Sequence, residues 1–126
     1  MPGGTGYCSS KVALVRFTEL LAKELKQRGS SVLAFIMGPG FVRTEMTELQ
    51  IDTPAGLEWL PIIQDFIRKG LDRPPEDCAR ATMDLIAAAC PELSGGIFGP
   101  DTDFGKVLEE AKRRAGGPNK TAEGNA

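Results

Sequence analysis

The segment that decides the fold runs from Tyr7 to Thr44, beginning Tyr7-Cys8-Ser9-Ser10-Lys11 and ending Gly38-Pro39-Gly40-Phe41-Val42-Arg43-Thr44. A long helical pattern starts here, so Tyr7 and Lys11, four residues apart, are predicted to share one helix face. An ammonium held beside a phenol favours the phenolate and lowers the pKa of the phenol. Such a pair can exchange a proton with a substrate oxygen near neutral pH, although this spacing also occurs often by chance.

The helix is predicted to extend from Ser9 or Ser10 to Arg28 and to stop at Gly29. Its apolar residues cover more than one face, and they comprise a stripe of Leu14, Phe17, Leu21 and Leu25, widened by Val12, Val15 and Ala22. A helix with so wide an apolar surface must be covered on two sides.

The continuous apolar run 32–37 favours a parallel strand that is covered on both faces. Gly38-Pro39-Gly40 ends this run and places the following backbone at the carboxyl end of the strand. Ligands bind at that end in open α/β sheets. The alternative interpretation is a turn that only ends the strand, because Pro and Gly often punctuate loops.

The residues of this segment, taken together, resemble the short-chain dehydrogenase/reductase family. The matching positions are Ser10, Lys11, Ala13, Leu21, Glu24, Leu25, Gly29, Val32, Pro39, Gly40, Val42 and Thr44, after Tyr7. The resemblance implies an α/β, Rossmann-like fold with a doubly wound parallel sheet. It also implies an oxidoreductase that interconverts a carbonyl and an alcohol with NAD or NADP as cofactor.

The resemblance further assigns roles to individual residues. Tyr7 and Lys11 are the implied catalytic pair, Tyr7 as the acid/base and Lys11 as the residue that tunes it and holds the cofactor ribose. The implied cofactor-binding residues are Tyr7, Lys11, Pro39, Gly40, Val42 and Thr44. Among these, the backbone at Val42 would hold the nicotinamide carboxamide, and the Thr44 hydroxyl would contact the same group or the phosphates.

Composition excludes several other classes of function. The 126 residues include 15 basic and 17 acidic ones, with a net charge of -2, and no basic run suggests a nucleic-acid partner. The chain has no His, and its three Cys residues show no paired spacing, so neither a metal site nor a disulfide framework is predicted. The longest apolar run is too short to span a membrane. A soluble, cytoplasmic protein is expected.

The rest of the chain is predicted to form supporting elements. Residues 45–73 are expected to contain two short helices, the second starting near Pro61. The resemblance implies that this region is the lid over the substrate. A helix should follow Pro74-Pro75 and end at Pro91, with an apolar stripe of Ala79, Met83, Ile86 and Cys90. A short strand within 94–99 and a charged helix over 106–115 complete the list.

These elements are expected to form the C-terminal half of such an enzyme, without the Gly-rich half that binds the cofactor pyrophosphate. The expected architecture is a single partial domain over 1–115 with about two parallel strands and three to five helices, followed by a disordered tail over 116–126. The chain would then be weak or inactive alone. The alternative hypothesis is a non-catalytic remnant or interaction module. In either case the 9–28 helix is expected to mediate homo-oligomerisation or to complement a partner chain.

Overall fold

A computed structural model describes residues 3–115, and this part of the chain alternates helices with two short parallel strands. The helices are α1 (Thr5–Gln27), α2 (Glu45–Asp52), α3 (Pro54–Trp59), α4 (Pro61–Arg68), α5 (Pro75–Ala88) and α6 (Phe104–Ala115). The strands are β1 (Ile36–Met37) and β2 (Ile97–Phe98), and a 3-10 turn, Pro91–Leu93, precedes β2. The predicted partial α/β, Rossmann-like fold is confirmed. The predicted tail over 116–126 lies outside the described residues.

Helix α1 starts four residues earlier than the sequence predicted. Gly4 is its N-cap, and the Cys8 backbone N–H donates to the Gly4 carbonyl at 2.8 Å. Gly3, which precedes this cap, packs tightly, because a Cβ on it would lie 2.6 Å from the Trp59 carbonyl oxygen. The predicted stop is confirmed: Gly29 has φ +64° and follows the last helical turn.

The two strands pair in parallel, with Ile36 opposite Ile97 and Met37 opposite Phe98. The regular ladder covers only the end of the predicted 32–37 strand. The segments that precede the two strands are also hydrogen-bonded to each other, since the Gly95 N–H donates to the Ala34 carbonyl at 2.7 Å. The predicted strand over 32–37 is therefore strand only at Ile36–Met37, and its start is not covered, since Val32 is 60% exposed. A side chain supplies part of the bonding before the strand: the Ala34 N–H donates to the Ser94 hydroxyl at 3.1 Å.

The core lies where α5 and α6 pack on the sheet. Its buried members are Leu85, Leu93 and Phe98. The Phe98 ring lies 6.1 Å from the Phe35 ring and 5.7 Å from the Phe104 ring, measured between centroids. Edge and tilted contacts of this kind add to the stabilisation that burial provides.

The apolar stripe predicted for α5 has the wrong phase. Ala81 and Leu85 are the buried residues of this helix, whereas Met83 and Ile86 from the predicted stripe are exposed. The helix also ends at Ala88, before Pro91. Both sides of α5 carry apolar residues, so the sequence pattern alone allowed either side to face the core.

Residues 45–68, the lid segment, form three helices and not the predicted two, which raises the number of α-helices in the described residues to six. Pro54 and Pro61 each start a helix at the first position, where the missing N–H costs nothing. The Thr53 hydroxyl oxygen accepts from the Gly56 N–H at 3.1 Å and caps α3. Gly56 fits closely on α2, since a Cβ there would lie 2.1 Å from the Gln50 carbonyl oxygen. The lid segment is therefore a compact unit.

Helix α1 rests on the remainder of the chain through a narrow face. Its buried residue is Ala22, 6% exposed, which lies against Gly95. Four large side chains form what we call the outer face of α1, and all are exposed: Val12, Leu14, Phe17 and Leu20. The predicted stripe is thus divided, because Leu14 and Phe17 face outward while Leu21 and Leu25 are half-buried. None of the described helices is both long enough and apolar enough to cross a membrane.

Candidate active site

The site is built around the turn that follows β1. Gly40 has φ +75°, a conformation that side chains other than glycine rarely adopt. The Arg73 backbone N–H donates to the Phe41 carbonyl at 2.8 Å, and Val42 forms an isolated parallel bridge with Arg73. These contacts hold the 39–44 turn against the residues that lead into α5. A backbone fixed in this way can present its N–H groups to a ligand without reorganising.

The first turn of α1 and the 39–44 turn enclose one cavity of about 330 Å³. Five of the six predicted site residues line it: Tyr7, Pro39, Gly40, Val42 and Thr44. The remaining lining residues are Gly3, Gly4, Phe41, Met46, Thr47, Gln50, Leu60 and Ile63. Residues up to 37 positions apart in sequence are thus brought to one side of the sheet, at the carboxyl end of β1, where open α/β sheets bind ligands.

Lys11 is the sixth predicted site residue and does not line the cavity. Its ammonium nitrogen lies over the Tyr7 ring, 5.3 Å from the ring centroid. This distance falls within the range of about 6 Å over which a cation is attracted to an aromatic face. The two side chains therefore share one helix and touch each other, as the spacing predicted.

Two residues of the 39–44 turn that line the cavity have a donor with hydrogen-bonding capacity left over. Thr44 is the N-cap of α2, and its hydroxyl oxygen accepts from the Thr47 N–H at 3.4 Å. This bond uses a lone pair and leaves the hydroxyl proton available. The Val42 N–H donates no hydrogen bond to any residue within 3–115. Both groups can thus donate to a ligand in the cavity.

Sequence reasoning missed the wall of the cavity that the lid segment provides. Met46, Leu60 and Ile63 come from different parts of this segment, and only its folding brings them together. Met46 and Thr47 could have been found, because they follow the predicted Thr44 within one helical turn. Gly3 and Gly4 carried no such signal, since a Gly-rich lead is equally typical of a flexible terminus.

A larger cleft, of about 590 Å³, lies at the opposite end of α1 and contains none of the predicted site residues. Glu19, Lys23 and Lys26 form one side of it, and Glu92 lies across from them. Its charges are mixed in sign and open to solvent, so the smaller cavity around Tyr7 is the better candidate for chemistry. Within 3–115, no group of three or more acidic or Cys side chains is placed to hold a metal ion.

Comparison with known proteins finds a matching family model and several similar sequences. Residues 1–54, which contain all six predicted site residues, match the family model described as short chain dehydrogenase. A 3-oxoacyl-[acyl-carrier-protein] reductase of Synechocystis is 38% identical over 109 residues, covering 85% of this chain and 39% of the reductase. The chain is similar to the short-chain dehydrogenase family.

Other relatives in the family are similar to most of this chain. A 3-oxoacyl-[acyl-carrier-protein] reductase of Rickettsia bellii is 35% identical over 94 residues, which is 75% of this chain and 36% of the reductase. A short chain dehydrogenase of Pseudocercospora fijiensis is 31% identical over 123 residues, which is 92% of this chain and 38% of that protein. The chain thus spans less than two fifths of each of these relatives. No solved structure matches it.

Proposed function

We propose that this chain carries the catalytic segment of an NAD- or NADP-dependent oxidoreductase that interconverts a small carbonyl compound and its alcohol. The observation that supports this most directly is the shared cavity of Tyr7 and the 39–44 turn. Tyr7 and the backbone of the 39–44 turn therefore line the same cavity at the end of a parallel strand. The match of residues 1–54 to the short chain dehydrogenase model covers the same group of residues.

Tyr7 is the proposed acid/base. In reduction its hydroxyl gives a proton to the oxygen of the substrate carbonyl, and in oxidation it takes the proton of the alcohol. Lys11 lies over the ring of Tyr7 and holds the ring in place through the attraction between its ammonium and the aromatic face. The chain has no His, which leaves Tyr7 as the group in the cavity best suited to this proton transfer.

The donors around the cavity fit a nicotinamide cofactor. The Val42 N–H and the Thr44 hydroxyl suit the carboxamide, and the Lys11 ammonium and Tyr7 hydroxyl suit the ribose hydroxyls. Gly40 has no side chain to block the approach, and Pro39 keeps its neighbourhood rigid. When bound, the cofactor supplies or accepts the hydride at the substrate carbon. The residues of this chain position the reactants and move the proton.

The direct test is reduction of a ketone by the 126-residue chain with NADH or NADPH. Tyr7→Phe keeps the ring beneath Lys11 and removes the hydroxyl, so turnover should fall by at least about 100-fold, as expected for loss of a general acid. Thr18→Val is the matched control, because it removes a hydroxyl from the same helix, one that donates to the Leu14 carbonyl outside the cavity. Equal loss in both variants, or none in Tyr7→Phe, would refute the proposed role.

A second candidate function rests on the outer face of α1. Val12 is 67% exposed and Phe17 is 61% exposed, and several large exposed apolar side chains on one helix favour an interaction surface. We propose that this face joins a second copy or a complementing chain in the cytoplasm, and that the chain alone is weakly active. In the alternative, assembly is the whole function and no catalysis occurs.

Sedimentation velocity separates these possibilities. Phe17→Asp places a charge in the outer face and should shift the protein to monomer, because an unpaired buried carboxylate is costly. Tyr7→Phe should leave assembly unchanged. If the wild-type chain is a stable monomer at all concentrations, the interaction surface is refuted. If it assembles but neither it nor Tyr7→Phe reduces any ketone, the non-catalytic alternative holds.

A further inference from the structure

The charge distribution around the Tyr7 cavity narrows the substrate class, and this step rests on the proposed function. Within the described chain, no Asp, Glu, Lys or Arg side chain lines the cavity. An ionised group bound there would lose its hydration without gaining an ion pair from the wall. A charged substrate is therefore disfavoured.

Two of the cations close to the 39–44 turn are paired with carboxylates, and the third lies over an aromatic ring. The Arg73 guanidinium, which lies beside Gly40, pairs with Asp101. Arg43 pairs with Glu48, with 3.9 Å between the Arg43 Nε and the Glu48 Oε1. Lys11 lies over the ring of Tyr7. None of these three side chains lines the cavity, so its wall offers no cation to a substrate carboxylate or phosphate.

The lid segment gives the cavity an apolar wall of fixed shape. Met46, Leu60 and Ile63 line the cavity. The helices that carry them are held together by backbone and side-chain contacts. Gly56 lies directly on α2, and the Gln64 side-chain amide donates to the Ile51 carbonyl at 3.0 Å, joining α4 to α2.

The polar groups contributed by the lid segment are few. The Thr47 hydroxyl accepts from the Thr44 N–H at 2.7 Å and donates to the Thr44 carbonyl at 2.8 Å, so it is occupied. The Gln50 side chain forms no hydrogen bond within 3–115, which leaves it as the polar group of the lid that a substrate can engage. We infer that the substrate is an uncharged ketone or alcohol whose remaining part is apolar. Met46 is then a specificity-determining residue, because it belongs to the cavity wall that contacts this apolar part.

The test compares two ligands that differ in charge and share the same ring ketone: ethyl 4-oxocyclohexanecarboxylate, which is neutral, and 4-oxocyclohexanecarboxylate. Dissociation constants are measured by ligand-observed NMR with the whole 126-residue chain. The wild-type chain should bind the ester at least about tenfold more tightly than the acid, because the acid brings an unpaired charge into an apolar cavity.

Met46→Lys and Leu49→Lys form a matched pair of variants. Both positions lie on α2 and are exposed, 54% for Met46 and 65% for Leu49, so both variants should fold, but Leu49 does not line the cavity. Met46→Lys should move the ester-to-acid preference toward the acid by about fivefold, the effect of a partly exposed ion pair of about 1 kcal/mol. Leu49→Lys should leave the preference unchanged.

The inference is overturned if the wild-type chain binds the acid as tightly as the ester, if it binds neither, or if both Lys variants shift the preference alike. Its failure is distinguishable from failure of the proposed function. Selective binding of the ester without oxidation of NADH or NADPH would leave the inferred specificity standing and refute the catalytic proposal. Equal turnover of ester and acid would support the catalytic proposal and refute the inferred specificity.

Discussion

Substituting Gly40 with Ala tests whether the conformation of the 39–44 turn matters for cofactor binding. Gly40 has φ +75°, and an Ala in the left-handed region costs about 1–2 kcal/mol. The new Cβ would lie 3.2 Å from the Arg73 Cδ, so the Arg73 side chain must also shift by a few tenths of an ångström. The combined loss of about 2 kcal/mol corresponds to a Tm decrease of about 8 °C for a domain of this size.

Gly29→Ala provides the matched control. Gly29 has φ +64° and nothing within 4 Å of its would-be Cβ, so it carries the same backbone strain far from the cavity. Circular dichroism melts of both variants should show similar losses of stability. Isothermal titration with NADPH should show affinity weakened by about tenfold, equivalent to about 1.4 kcal/mol, in Gly40→Ala alone. Equal cofactor affinities in the two variants would refute the claim that this turn binds the cofactor.

Three further predictions concern the fold that supports the site. Gly56→Ala should separate α2 from α3 and lower the free energy of unfolding by about 3 kcal/mol in urea titrations, because its Cβ would lie 2.1 Å from the Gln50 carbonyl oxygen. Phe98→Ala should lower it by about 3–5 kcal/mol in the same assay, because this ring is 7% exposed at the centre of the core; a loss below 1 kcal/mol would contradict the assigned packing. The pKa of Asp103 lies below its usual value, chiefly because the Lys106 backbone N–H donates to its carboxylate. The ionised carboxylate therefore stabilises the folded chain at neutral pH, and this stabilisation disappears as the pH falls below about 4. Tm measured against pH should show this contribution in the wild type and not in Asp103→Asn.

The sequence predicted the helix that carries Tyr7 and Lys11 and the turn at Gly40 better than it predicted the elements around them. Tyr7 and Lys11 follow from helical spacing, which is local, and the turn at Gly40 follows from residue types that end strands. That Tyr7 and the Gly40 turn line one cavity depends on the sheet order of α/β proteins, which the resemblance supplied. These features rest on short sequence separations or on a shared family pattern.

The errors have a common physical cause, since each concerns a contact that local pattern does not determine. Helix α1 begins at Thr5 because Gly3 packs on Trp59, more than fifty residues away. The lid segment forms three helices because Thr53 caps one of them and Gly56 fits against its neighbour. The phase of α5 could not be predicted because both of its sides are apolar and only the packed core selects Leu85.

The central claim is that Tyr7, Lys11 and the 39–44 turn form a site for a nicotinamide cofactor, and calorimetric titration of the chain with NADPH and NADH tests it most directly. Lys11→Met removes the ammonium that lies over the Tyr7 ring, while Lys23→Met removes one from the same helix at the opposite cleft. The account predicts measurable binding to the wild type, binding at least about tenfold weaker to Lys11→Met, and no change for Lys23→Met. No heat of binding to the wild type, or equal affinities for all three proteins, would contradict it.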